Sequence, residues 1–121
     1  MITNASLTLY HKGFDESTRL EKWVRFNYGD DTTNTIWWFG GKGANTNKGY
    51  ENANDVQIRI PYDLNSELNI NDFSIGDIVV KGYITDDIET QQDLQDYDVY
   101  NITAINNNDF GNTKHIHLSG R

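Results

Sequence analysis

Residues 100–121 read YNITAINNNDFGNTKHIHLSGR, and their pattern decides the fold. Tyr100-Asn101-Ile102-Thr103-Ala104-Ile105 alternates as a strand does. Residues 106–112 are an Asn/Asp/Gly turn. Lys114-His115-Ile116-His117-Leu118-Ser119 is a second alternating run. Two such runs around a turn of this composition predict a β-hairpin. Side chains two apart share a face of a strand, so Ile116 and Leu118 point to a core while His115 and His117 point away from it.

The same period continues upstream. Asp55-Val56-Gln57-Ile58-Arg59-Ile60-Pro61 places Val56, Ile58 and Ile60 inward and Gln57 and Arg59 outward. Pro61, the one proline, ends that pairing. Ile78-Val79-Val80-Lys81 reads as a buried strand. In Ser6-Leu7-Thr8-Leu9-Tyr10-His11, Leu7 and Leu9 take one face and Thr8 and Tyr10 the other, with a turn expected at Gly13 and Asp15. Residues 18–28 put Val24, Phe26 and Tyr28 on one side, which a helix would scatter around its circumference. Thr35-Ile36-Trp37-Trp38-Phe39 is apolar on both faces, and this demands cover on both. Residues 86–95 have early acids with Ile88 and Leu94 as apolar contacts, consistent with one or two helical turns capped by Thr85 or Asp86. The expectation is an all-β protein, a small barrel or sandwich of about seven strands with one short helix, forming a single domain over 1–121.

Residues 40–54 stand apart. They hold Gly40, Gly41, Gly43 and Gly49 and no aliphatic side chain larger than alanine. Such a stretch cannot bury itself, so a long surface loop projecting from the body is expected.

The bulk numbers narrow the function classes. The chain has 121 residues, a net charge of −8 and no cysteine. Disulfides, thiolate metal sites and cysteine nucleophiles are excluded. The field of so acidic a chain repels phosphates and anionic membranes, which argues against sequence-specific DNA binding. No basic start with an apolar run marks a signal peptide and no apolar run is long enough to span a bilayer, so a soluble protein made in a cytoplasm is expected.

Candidate chemistry is thin. His115 and His117 share a face, but zinc needs further ligands such as His11 or an acid, and a polar outer face explains the pair more simply. Asp86, Asp87, Glu89 and Asp93 lack the spacing of a calcium loop, and acids at a helix start explain most of them. Gly40-Gly41-Lys42-Gly43 lacks the Ser or Thr and the helix that a phosphate loop requires. Trp23, Trp37, Trp38, Tyr10, Tyr28 and Tyr50 could form a sugar-stacking platform, although a tryptophan in a strand more often fills a core or interface. The expectation is a protein that is not an enzyme and uses no cofactor and no metal.

Several segments together resemble a known family. They are Phe73-x-Ile75-Gly76-Asp77-Ile78-Val79-Val80-Lys81-Gly82, Glu89-Thr90-x-x-Asp93-Leu94, Tyr100-x-Ile102-Thr103-x-Ile105, Phe110-Gly111-Asn112 and His115-Ile116-x-Leu118-x-Gly120-Arg121. The pattern is similar to the head-completion or stopper proteins of tailed bacteriophages, small neck proteins often called minor capsid proteins. The likeness spans about the last fifty residues, and its ending (His115, Ile116, Leu118, Gly120, Arg121) is the sharpest part. It implies a virion protein at the head–tail junction, with copies forming a ring between the portal or adaptor protein and the tail terminator. Such a ring continues the DNA channel and closes it after packaging, with no membrane involved. The 40–54 loop suits the closing role: fifteen residues out and back reach ~25 Å at about 3.4 Å per residue. Lys42 and Lys48 would touch phosphate at the end of the packaged double-stranded DNA. Trp37, Trp38 and Phe39 are the candidate subunit interface, since tryptophan is enriched at desolvated interface centres. The alternatives are a carbohydrate-binding sandwich and, within the virion, a tail terminator or a head-decoration protein.

Overall fold

The computed structural model describes residues 3–40, 55–109, 111 and 113–121. Seven strands form one antiparallel sheet. They are β1 (Leu7–Asp15), β2 (Leu20–Tyr28), β3 (Trp37–Gly40), β4 (Val56–Pro61), β5 (Ile78–Lys81), β6 (Val99–Asn108) and β7 (His115–Gly120). Their order across the sheet is β2-β1-β5-β6-β7-β4-β3. The final hairpin falls where alternation puts it, with Ile105 opposite Leu118 and Asn107 opposite Ile116.

The sheet folds over on itself, and β6 makes the bend. Its first residues pair with β5, so that Tyr100 faces Val79. Its later residues pair with β7, after a register shift between Ile102 and Ala104. An extra residue in one strand bends it and sharpens its twist. The inward rows of the two halves then meet. Leu7, Leu9, Val79, Tyr100 and Ile102 pack against Trp38, Val56, Ile58, Ile60, Ile116 and Leu118, all buried. Val56, Ile58, Ile60, Ile116 and Leu118 are side chains that period-two reading points inward, and these eleven enclosed apolar groups supply the main stabilisation.

A second, smaller core lies on the opposite face of β1 and β5. Tyr10, Ile78 and Val80 are covered there by Ile84, Ile88 and Leu94. The covering segment contains a 3-10 turn, Gln91–Leu94, in which Thr90 and Asp93 form a reciprocal capping box. This replaces the one or two helical turns capped at Thr85 or Asp86. The acids at 86 and 87 precede the turn and serve tertiary contacts instead. Another 3-10 turn, Ile70–Asp72, was not anticipated; the Asn69 side chain caps it by accepting from the Asn71 N–H.

A closed barrel does not form, because the end strands β2 and β3 do not pair with each other. β3 is instead covered by the segment leading into β1. Ala5 and Ile36 form an isolated antiparallel bridge. The Asn4 side chain accepts from the Trp38 N–H at 2.8 Å and donates to the Trp38 carbonyl at 2.9 Å. One amide side chain thus takes the place of a neighbouring strand. Among the described residues, β2 alone keeps a bare outer edge.

Candidate assembly surfaces

The sheet half built from β3, β4, β7 and β6 turns a flat face outward. Residues directly opposite across a ladder share a face, so Trp37, Arg59, His117 and Asn106 form one row. Phe39, Gln57, Ser119 and Ala104 form the next. Trp37 and Phe39 stack at 5.8 Å with their planes 3° apart, and the Arg59 guanidinium lies 4.9 Å from the Trp37 ring centre. Phe39 is 64% exposed. Trp38 points the other way, is buried, and packs on Tyr100 at 5.6 Å. Of the three residues expected at a subunit interface, only Trp37 and Phe39 face outward. Trp38 belongs to the core.

The polar part of this face is tied together. Gln57 Oε1 accepts from the Ser119 hydroxyl at 3.1 Å and lies 2.7 Å from His117 Nε2. Burial, with the nearby Arg59 and His115 charges adding to it, holds the His117 imidazole below its usual value. His115 Nδ1 lies 2.8 Å from the Thr113 carbonyl oxygen, to which it donates. Both histidines therefore sit in hydrogen-bonded positions on the outer face, with Ile116 and Leu118 wholly buried behind them. Gly120 is buried, and a Cβ there would stand 3.0 Å from a Val56 methyl group and 3.2 Å from the Asn101 carbonyl. Arg121 pairs with Asp55 at 3.0 Å. Phe110 and Asn112 lie outside the described residues.

No group of three or more His, Asp or Glu side chains among the described residues is placed to hold a metal. His11, the third histidine of the zinc reading, is engaged with Asp77. Three of the four acids of the calcium reading are likewise occupied. Asp87 pairs with Arg25 at 2.6 Å, Asp86 accepts from the Tyr97 hydroxyl at 2.9 Å, and Asp93 closes the capping box. The aromatic residues of the sugar-platform reading do not gather. Tyr10, Tyr28 and Trp38 are buried, while Phe39 and Arg59 stack on Trp37. Tyr50 lies outside the described residues.

The loop residues Gly41, Lys42, Gly43, Lys48 and Gly49 also lie outside the described residues. Gly40 is described and ends β3 at a φ of +91°; a Cβ there would come within 2.5 Å of the Asp55 carbonyl oxygen. Only glycine fits that position.

The most prominent surface feature escapes sequence reasoning. β1 does not stop at Gly13; it runs to Asp15 and pairs with β2 along its whole length, from Leu7–Tyr28 to Asp15–Leu20. β5 accompanies only Leu7 to Tyr10. Beyond that point the hairpin is a two-stranded arm. None of its described side chains from 12 to 24 is buried, and Phe14 (63%) and Leu20 (66%) are mostly exposed. The signal that could have revealed it is the lack of any one-sided apolar row between Lys12 and Lys22.

Asp77 fixes the root of the arm. It is 1% exposed. Its Oδ1 accepts from the Lys12 backbone N–H at 3.2 Å. Its Oδ2 accepts from the Ser74 N–H at 2.8 Å and lies 2.6 Å from His11 Nδ1. A buried carboxylate is tolerated when donors surround it in this way. Further out, Lys12 bridges Glu21 at 2.9 Å and lies 5.8 Å from the Trp23 ring centre.

Comparison with known proteins places the chain in a family. The sequence model of DUF6751, a family of unknown function, matches residues 2–121, and the chain belongs to that family. No curated protein and no solved structure matches it.

Proposed function

We propose that this protein is a structural part of a tailed-phage neck, acting by assembly rather than by catalysis. In this reading, copies form a ring between the portal or adaptor protein and the tail, extending the DNA channel and closing it after packaging. The observation that carries the reading is where the chain exposes apolar surface. Phe14 and Leu20 stand on a projecting hairpin, and Phe39 on an open sheet face, rather than around a cleft. Phe14 and Leu20 point to opposite faces of that hairpin, so each of its two faces carries a large apolar side chain that another surface could cover.

Two further features support it. The resemblance through the His115–Arg121 ending lies on a strand whose inner residues are core and whose outer residues are polar. The charge of −8 suits a channel wall that lets DNA slide. Gating by Lys42 and Lys48 remains part of the proposal. A glycan platform is less well supported, because Phe39 and Arg59 already stack on the outward-facing Trp37.

Purified protein mixed with tailless, DNA-filled heads tests the reading by electron microscopy. A new ring at the portal vertex is expected. An unchanged vertex refutes it, and density spread over the capsid faces would assign the chain to head decoration instead.

A further inference from the structure

We infer that the β1–β2 arm is the element through which one copy grips the next, seated on the 83–98 segment of a second copy of this chain. This deepens the ring reading and rests on it. Among the described residues, the arm runs beyond both cores, with only Trp23 at its root packing on the smaller one, and it carries exposed apolar side chains. Leu20, Lys22 and Val24 line one face of β2, at the bare edge of the sheet, with Leu20 66% and Val24 39% exposed.

Charge identifies the occupant. Residues 11–25 hold four bases (Lys12, Arg19, Lys22, Arg25) against three acids (Asp15, Glu16, Glu21), a balance of +1 in a chain of −8; Lys12 is already bridged to Glu21 and Arg25 to Asp87, which leaves Arg19 and Lys22 as the bases the arm presents to a neighbour. Residues 82–98 hold six acids and neither lysine nor arginine. That segment also exposes Tyr83 (44%) and Tyr97 (39%), which offer apolar rings to Leu20 and Val24. Opposite potentials of this kind steer association and fix register.

On the face opposite Leu20, Lys22 and Val24, the arm already makes a contact of this chemistry at its own root. Arg25 donates to the Thr85 carbonyl at 2.5 Å and to Asp87 at 2.6 Å. Arg19 stands six residues further along the arm, about 20 Å at ~3.4 Å per residue, so the Thr85 and Asp87 that Arg25 meets are out of its reach in its own copy and a neighbour's are not. Two different patches meeting head to tail make a heterologous contact, the kind that closes into rings. Sheet-to-sheet joining of β2 to β3 does not compete, since Asn4 and Ala5 already occupy the β3 edge.

Charge reversal tests this on the full chain. One variant carries Arg19→Glu with Lys22→Glu; the other carries Glu89→Lys with Asp96→Lys. All four side chains are exposed, and far-UV circular dichroism checks that both variants fold. Sedimentation at low salt is expected to show wild-type self-association that weakens as salt rises. Each variant alone should associate at least about tenfold more weakly, and an equimolar mixture should recover, because each restores the other's complement. Three results overturn the inference: variants that associate like wild type, a mixture that does not recover, or wild type that stays monomeric up to about 1 mM. The two readings fail separately. A ring on heads that is insensitive to both reversals sinks this interface alone. Reciprocal rescue in solution without a ring on heads sinks the neck assignment alone.

Discussion

Replacing Asp77 with asparagine exchanges one heavy atom, a carboxylate oxygen for a nitrogen, and should cost more than most surface mutations. The carboxylate is enclosed and accepts on both oxygens, from Lys12 N–H on one side and from Ser74 N–H and His11 on the other. An asparagine side chain has one oxygen and one NH2 group. Whichever way it turns, the NH2 faces a backbone N–H, so at least one buried donor loses its partner. A hydrogen bond to a charged group contributes about 1.5–3 kcal/mol, and a stranded buried donor adds about 1 kcal/mol or more. The expected loss is about 2–4 kcal/mol, or roughly 8–16 °C in Tm at ~4 °C per kcal/mol for a domain of this size. Thermal unfolding followed by circular dichroism measures it, with Asp96→Asn on the surface as the control. Hydrogen exchange should quicken at Ser74, at Lys12 and along the arm beyond it. A Tm within about 4 °C of wild type, with arm exchange unchanged, would show that Asp77 does not hold the arm's root.

Trp38→Ala should cost about 3–5 kcal/mol because it empties the centre of the core, whereas Phe39→Ala should change stability by less than about 0.5 kcal/mol; urea unfolding of the two separates the inward ring from the outward one. Tyr28 has a buried hydroxyl with no partner among the described residues, and burial, then Asp72 and Glu67, hold its ionisation well above the ordinary tyrosine value. Tyr28→Phe should therefore leave stability unchanged or raise it by up to about 1 kcal/mol in the same assay, and a clear loss would reveal a partner for that hydroxyl. His117 is held below its usual value of 6.5 in the folded state, so the unfolded chain takes up the proton first as pH falls. Its contribution is complete above that value and declines as pH drops from it towards the lower folded value. His117→Gln should flatten the wild-type stability profile on that acid side, read from Tm between about pH 7 and 5.

Alternation made much of the fold legible. Val56, Ile58, Ile60, Ile116 and Leu118 each read as inward from the period alone, and each is wholly buried. Leu7 and Leu9 part from Thr8 and Tyr10 as expected, although the second face proves to be a small core and not solvent. The all-β fold of seven strands is as expected; of the two forms it left open, barrel or sandwich, a closed barrel is not formed, because closure depends on what lies beside the end strands. At β3 that is an asparagine side chain, and residue periodicity carries no trace of it. Gly13 read as a turn because glycine ends strands more often than it sits within them; here cross-strand pairing with Lys22 carries the strand through. Asp77 read only as one position of the Phe73–Gly82 pattern, and nothing local shows that His11 and Lys12, more than sixty residues away, converge on it. The tryptophan pair was legible as two-sided, but which ring faces the core depends on register with Ile58, a property of the assembled sheet.

The amide of Asn4, lying along Trp38, has a consequence for how this protein can misassemble. Cross-β growth needs two open flanks, one to receive a strand and one to offer the next site. Among the described residues this sheet has a single open flank. Recruitment through β2 therefore ends with a pair of molecules and leaves nothing for a third to extend, so the Asn4 amide together with the Ala5 bridge works against fibre growth in a crowded chain.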